Sequence, residues 1–160
     1  MKWIPKSVRT LLGHQRFQKE LKVLKRVPES IGFEQAGKIG ILYDATNEHN
    51  SEIVKNYVKQ VRSIAKKEVL AMGFVNKNKL HSTQYAQMGL DFFCTRDLNF
   101  KMIPSNPIVR NFINESFDIL INITSGKCLP LTYITAVSKA RFKVGRFNNN
   151  NVQCLDEDPK

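Results

Sequence analysis

Residues 38–75 hold the pattern that most constrains the fold. "KIGILYD" (38–44) is a short, nearly continuous apolar run, as expected of a strand buried on both faces. "SEIVKNYVKQVRSIAKK" (51–67) then places Ile53, Val54, Tyr57, Val58, Val61, Ile64 and Ala65 at helical spacing, so it reads as a helix with one buried face. "EVLAMGFV" (68–75) is apolar again and reads as a second strand. Strand, helix, strand in so short a span implies a parallel pair, because parallel strands need a crossover connection.

The pattern continues. After a polar stretch with room for one short helix, "LDFFCT" (90–95) reads as a third strand. "NPIVRNFINE" (106–115) fits a helix with Asn106 as its cap and Pro107 at its first position. "FDILINI" (117–123) is a fourth strand, "LPLTYITAVS" (129–138) a helix beginning near Pro130, and "RFKVGRF" (141–147) a fifth strand. Alternation of this kind predicts an α/β, three-layer, Rossmann-like domain with about five mostly parallel strands and right-handed crossovers. The strand order is either 3-2-1-4-5 or 2-1-3-4-5.

Ahead of the domain, residues 7–26 are helical in pattern, with Val8, Leu11, Leu12, Phe17, Leu21 and Leu24 on one stripe. Gly13 weakens the middle and allows two shorter helices. Pro28 ends the segment. The expected division is a basic helical arm at 1–30, the α/β domain at 31–147 and a solvated tail at 148–160. A chain of 160 residues fits one such domain without a disulfide or metal staple.

Other classes are excluded by simple counts. Apolar runs such as Ile119–Ile121 are far too short to cross a bilayer, and Lys2, Lys6 and Arg9 break up any secretory signal, so a cytoplasmic location is expected. Cys94, Cys128 and Cys154 are odd in number and widely spaced, and His14, His49 and His81 form no metal-spaced pair. Neither a metal nor a cofactor is expected.

Charge is the outlying quantity. Lys plus Arg is 25 against 14 Asp plus Glu, a net of +11. Such a balance speaks to partners: nucleic acid, an anionic membrane surface or an acidic protein. Lys2, Lys6, Arg9, Arg16, Lys19, Lys22, Lys25 and Arg26 crowd the first thirty residues. Eight cations against Glu20 and Glu29 make the arm a candidate phosphate-binding element, with RNA favoured over membrane because Gly13, Gln15 and Gln18 interrupt the apolar face. On the fifth strand, Arg141 and Lys143 alternate with Phe142 and Val144. Alternation puts the two cations on one face, read as solvated, either to protect a sheet edge or to extend the phosphate-tracking patch.

Candidate chemistry lies at strand ends, because open α/β sheets bind ligands outside the carboxyl ends of their strands where the order reverses. Two ends are polar: Asp44, Thr46, Asn47 and Glu48 after the first strand, and Asn122, Thr124, Ser125 and Lys127 after the fourth. Asp44 and Glu48 are acid–base candidates, and Ser125 and Lys127 could hold a phosphate or a sugar. The competing interpretation is that residues 46–51 are caps and turns that any strand-to-helix passage needs. "SGKC" is not a phosphate loop, since Ile121 and Cys128 stand where Gly and Ser or Thr are required. No G-x-G-x-x-G and no G-x-S-x-G occurs.

"KIGILYDATNE", "LDFFCTRDLNF", "NESFDILINITS" and "LPLTYITAVSKARFKVG" together resemble an uncharacterised family of small Bacteroidota-type bacterial proteins, a domain of unknown function. The resemblance spans roughly Lys38 to Gly145 and implies a basic helical start, but it brings no catalytic residues. It also implies a longer C-terminal segment than the one that follows Asn148–Asn151. "FDILINITS" and "KVGRF" are similar, more weakly, to the amino-terminal half of heptosyltransferase-type enzymes, which would favour order 3-2-1-4-5.

The expected function is therefore a non-enzymatic cytoplasmic binding module that presents its basic arm to RNA, in a ribosomal setting. The alternative is a small enzyme or binder of a phosphorylated or glycosyl ligand between strands one and four. A third expectation is peripheral membrane association through the arm.

Overall fold

The structure, a computed structural model, describes residues 4–24 and 27–145. Lys2, Lys25, Arg26, Cys154 and the expected tail lie outside these residues. In chain order the elements are α1 (Lys6–Val23), β1 (Lys38–Asp44), α2 (Glu48–Ile64), β2 (Glu68–Val75), β3 (Leu90–Cys94), α3 (Pro107–Asn114), β4 (Ile119–Asn122), α4 (Leu129–Val137) and β5 (Phe142–Gly145). A single 3-10 turn, Thr95–Asp97, follows β3. The five strands form one all-parallel sheet in the order β3-β2-β1-β4-β5. That is the Rossmann-like arrangement the alternation predicts.

Local chemistry explains the elements. The central strand β1 is apolar throughout its interior because both faces are covered. Ile39, Ile41 and Tyr43 meet Val54, Val58 and Val61 of α2. On the opposite face Leu42 joins Met72, Phe93 and Leu120 under Val109 and Phe112 of α3 and Leu131 and Ile134 of α4. Helix α3 starts as expected: the Asn106 side chain accepts the Val109 amide at 2.9 Å, and Pro107 occupies the first turn.

Three expectations need correction. Residues 76–89 hold no helix; the β2–β3 connection is made of turns and bends. Among the described residues α2 is therefore the only helix on its side of the sheet, helped by Ile31 and Ala36 of the connector before β1. It packs on β1 and β2, while Ile123 and Val144, farther across, are 46% and 38% exposed.

The second correction concerns Gly13. Helix α1 runs unbroken through it. A Cβ at this position would lie 2.1 Å from the Lys101 carbonyl oxygen and 2.8 Å from a Leu129 methyl. Gly13 is a point of close contact rather than a break. Phe17, one turn on, packs against Tyr133 with ring centroids 6.3 Å apart, and clusters with Ala136. Residues 13 and 17 thus meet 129 and 133, so α1 and α4 run in the same direction. Helix α4 begins at the carboxyl ends of the strands, so the amino end of α1 lies there too.

Lys143 is the third correction. The strand alternates as expected, but the cation points inward: Lys143 is 1% exposed, pairs in register with Leu120, and donates from Nζ to the Ala136 carbonyl at 2.7 Å. The last turn of α4 offers carbonyls at the negative end of its dipole, which attract a cation. The neighbouring Val144 takes the face that α2 leaves open. Arg141 precedes the strand and is tied to Glu29 and Asp118 by contacts of 2.6 and 3.0 Å.

Candidate functional site

The strand order reverses between β1 and β4, and that junction positions the site. Leu42 pairs with Asn122, and the Ile123 amide donates to the Leu42 carbonyl at 3.0 Å. Continuing the register brings Thr124 level with Asp44. Their two polar strand ends do meet, as the favoured order requires.

Several of the expected site residues hold the frame. Asp44 Oδ1 accepts the Thr46 amide at 2.9 Å, closing a turn, and Thr46 Oγ1 accepts the Asn76 amide at 2.9 Å, tying the ends of β1 and β2 together. Asn47 caps α2 by accepting the His49 amide at 2.9 Å. Glu48 pairs with His81 at 2.6 Å, and the two line a separate hollow that Asp44 does not. Asn122 is buried with both ends of its amide in use: Nδ2 donates to Thr135 Oγ1 at 3.0 Å, and Oδ1 accepts the Thr124 amide at 3.0 Å. Thr135 in turn donates to the Leu131 carbonyl at 2.8 Å. This chain of bonds fastens the β4–α4 loop to the helix beneath it. Lys127 is exposed and lies outside the cleft walls described next.

A cleft of about 230 Å³ opens between the strand ends and α2, walled by Asp44, Asn50, Ile53, Ile123, Thr124 and Ser125 among others. The sequence did not single out Asn50, whose Nδ2 donates to the Asp44 carbonyl at 3.3 Å. Nor did it single out Tyr43, which also lines the cleft, or Thr135. The available signals were a tyrosine inside an apolar strand and a threonine inside an apolar helix. Burial pushes the Tyr43 hydroxyl up to about 12, with the Ser51 hydroxyl close by working against the shift. Neither of these hydroxyls, nor that of Thr124, completes a well-aligned hydrogen bond among the described residues. Burial likewise raises the Cys128 thiol to about 12; the Leu131 amide opposes this and the Asp44 charge adds to it.

A second hollow of about 250 Å³ adjoins the first and shares Ile53, Val54 and Ile123 with it. Its other walls are Ile41, Tyr57 and Ile121, and its lining is almost wholly apolar. It lies where α2 leaves the β4 side of the sheet uncovered.

The family can now be stated. A family of unknown function, DUF6913, matches residues 9–156. The chain belongs to this family. The resemblance to an uncharacterised domain is thereby confirmed, whereas the likeness to heptosyltransferases gains no support. No curated protein matches the chain. Among solved structures it is similar to homoserine dehydrogenase from S. aureus. The form crystallised at pH 6.0 is 14% identical, with a TM-score of 0.38 over 72% of this chain and 27% of that one. The form at pH 7.5 is 16% identical, with a TM-score of 0.37 over 68% of this chain and 25% of that one. The chain spans about a quarter of the length of those structures, and a likeness at this level carries no argument about activity.

The described cations of α1 fall into two sets. Lys6, Lys19 and Lys22 are exposed on α1. Arg9 donates from Nε to the Phe100 carbonyl at 3.0 Å, with its guanidinium 5.6 Å from the centre of the Phe100 ring. Arg16 pairs with Glu20 at 2.6 Å. Among the described residues no group of His, Cys, Asp and Glu could hold a metal ion, and no helix is long and apolar enough to cross a membrane.

Proposed function

We propose that this protein is a binding module whose ligand site is the cleft between β1 and β4, and that the ligand offers hydroxyl groups to Asp44 and Thr124. One observation carries this reading. Thr124 is buried, its hydroxyl has no hydrogen-bond partner among the described residues, and it lines the cleft that Asp44 also lines. A buried hydroxyl without a partner costs free energy, and a ligand hydroxyl that reaches it as the cleft side chains shift removes that cost. Asp44 Oδ1 is engaged by Thr46, which leaves Oδ2 as an acceptor for a donor from outside. The carboxylate disfavours an anionic group at this position, so a polyol fits better than a phosphate. The test is an amide-resolved NMR titration with ribose and glycerol. Shifts are expected at Thr46, Thr124 and Ser125, and their loss in Asp44→Asn. Polyols that move none of these amides would overturn the reading.

A second reading keeps the RNA-binding arm. It is favoured by the exposure of Lys6, Lys19 and Lys22 on a helix packed against α4. Three phosphate contacts support weak, strongly salt-dependent binding. Reversing all three charges should abolish retention on single-stranded RNA at low salt. Equal retention of that variant would end this reading.

A further inference from the structure

The two adjoining hollows are of opposite character, and they share the side chains of Ile53, Val54 and Ile123. We infer that they form one bipartite site for a glycoside of a flat aromatic ring, of which nucleosides are the commonest class: the sugar against Asp44 and Thr124, the ring between α2 and β4. This inference rests on the polyol reading above and adds to it the apolar half of the ligand.

The argument begins with size. Hollows of about 230 and 250 Å³ are each smaller than the roughly 300–1,000 Å³ typical of small-molecule sites, so a ligand of ordinary size placed in one extends across the shared Ile53, Val54 and Ile123 into the other. Chemistry then divides the joined site. At the strand ends the cleft is lined by residues whose side chains can recognise hydroxyls, Asp44, Asn50, Thr124 and Ser125, and the Thr124 hydroxyl is buried behind this wall without a partner among the described residues. Toward the middle of the sheet the walls are Ile41, Ile121, Ile123, Ile53 and the ring of Tyr57. Ile53 and Tyr57 are about half exposed, at 53% and 45%, although they face a parallel sheet whose surface is normally covered. A flat apolar ring laid along this wall removes that area from water, and Tyr57 gives it an aromatic edge or face.

The apolar half also limits specificity. Its lining offers almost no polar atom to the edge of the ring. Base edges therefore go unread, and binding is indifferent to which base the nucleoside carries. A free sugar lacks the apolar contact, and a free aromatic ring lacks the anchor at Asp44, so each part alone binds much more weakly than the whole.

The test is calorimetric titration of the full chain with adenosine, uridine and ribose, repeated with three variants. Adenosine and uridine should bind within about threefold of one another, and each at least tenfold more tightly than ribose. Tyr57→Ala should weaken the nucleosides tenfold and leave ribose unchanged, because it removes only the ring contact. Asp44→Asn, which keeps the acceptor for Thr46, and Thr124→Val should weaken both classes. Ribose binding as tightly as the nucleosides would overturn the inference while leaving the polyol reading intact. Binding of neither class would overturn both. Nucleoside binding unaffected by Tyr57→Ala and by Asp44→Asn would place the ligand elsewhere and overturn the bipartite site.

Discussion

The two ends of the sheet are built from similar residues and put to different uses. At the amino-terminal edge Lys38 reaches Glu115 at 2.5 Å and Glu68 at 3.0 Å. Asp118 Oδ2 accepts the Gly37 and Lys38 amides at 2.9 and 3.0 Å, and Oδ1 accepts from Arg141 at 3.0 Å. Arg141 also donates from Nε and Nη2 to Glu29 at 2.9 and 2.6 Å, which pulls the connector before β1 onto the sheet. The side chains there meet one another. At the carboxyl-terminal edge Asp44, Tyr43 and Thr124 line a cleft, and the hydroxyls of Tyr43, Thr124 and nearby Ser51 lack well-aligned partners among the described residues. Polar residues at a strand end therefore do not mark a site by themselves. The mark is polar residues that the fold leaves partly unsatisfied.

The sharpest way to break this comparison is to disrupt the saturated edge. Asp118→Ala leaves two backbone amides and a guanidinium without their charged acceptor. Hydrogen bonds to charged groups contribute more than neutral ones, and water replaces part of the loss, so the expected cost is about 2 kcal/mol. Urea unfolding checks it. A loss within about 0.3 kcal/mol of zero would mean that the network is ornamental, and the contrast between the edges would fail.

Acid should reveal the same carboxylate. The Lys38 amide first, then the Gly37 amide and Arg141, hold Asp118 below its ordinary value of 3.8, against the opposing effect of burial. A group whose folded value is depressed contributes stability that is fully present above the unfolded value and lost as pH falls through the folded one. The wild type should thus lose stability more steeply than Asp118→Asn below about pH 4, where the ordinary carboxylate titrates. Parallel curves would show that Asp118 gains nothing from its partners.

How much of this was legible beforehand depends on the kind of contact involved. The strands and α3 were readable because their causes are local: apolar runs, an Asn cap, a Pro in the first turn. Their order in the sheet is a tertiary choice between two arrangements that alternation alone allows equally. Lys143 was misread because alternation fixes which residues share a face but not which face is covered. That choice fell to α4, whose terminal carbonyls accept the ammonium group. Gly13 was misread because helix propensity says nothing about a carbonyl arriving from residue 101. In the cleft, Asp44 and Thr124 were singled out by their places at strand ends. Asn122 belongs to the frame because Thr135, thirteen residues on, takes its amide, a tertiary pairing that no spacing rule encodes. Tyr43 and Asn50 went unnoticed because a single tyrosine in a strand and an asparagine in the first turn of a helix have ordinary structural explanations.

The smallest expected effect is also the most diagnostic, because its sign opposes intuition. Thr124→Val exchanges a buried hydroxyl for a methyl group of nearly the same shape. Where the hydroxyl is bonded, such a change is destabilising by roughly 1 kcal/mol; where it is buried without a partner, the change relieves a desolvation cost and stabilises by up to about 1 kcal/mol. The Thr124 backbone amide keeps its bond to Asn122 in either case, so the loop stays in place. A rise in the urea midpoint with an unchanged slope, combined with weaker polyol binding, would mean that the fold tolerates this hydroxyl at a cost in stability and that binding uses it. A fall in the midpoint would mean that the hydroxyl already has a partner, and the carboxyl-terminal edge would then be as saturated as the other.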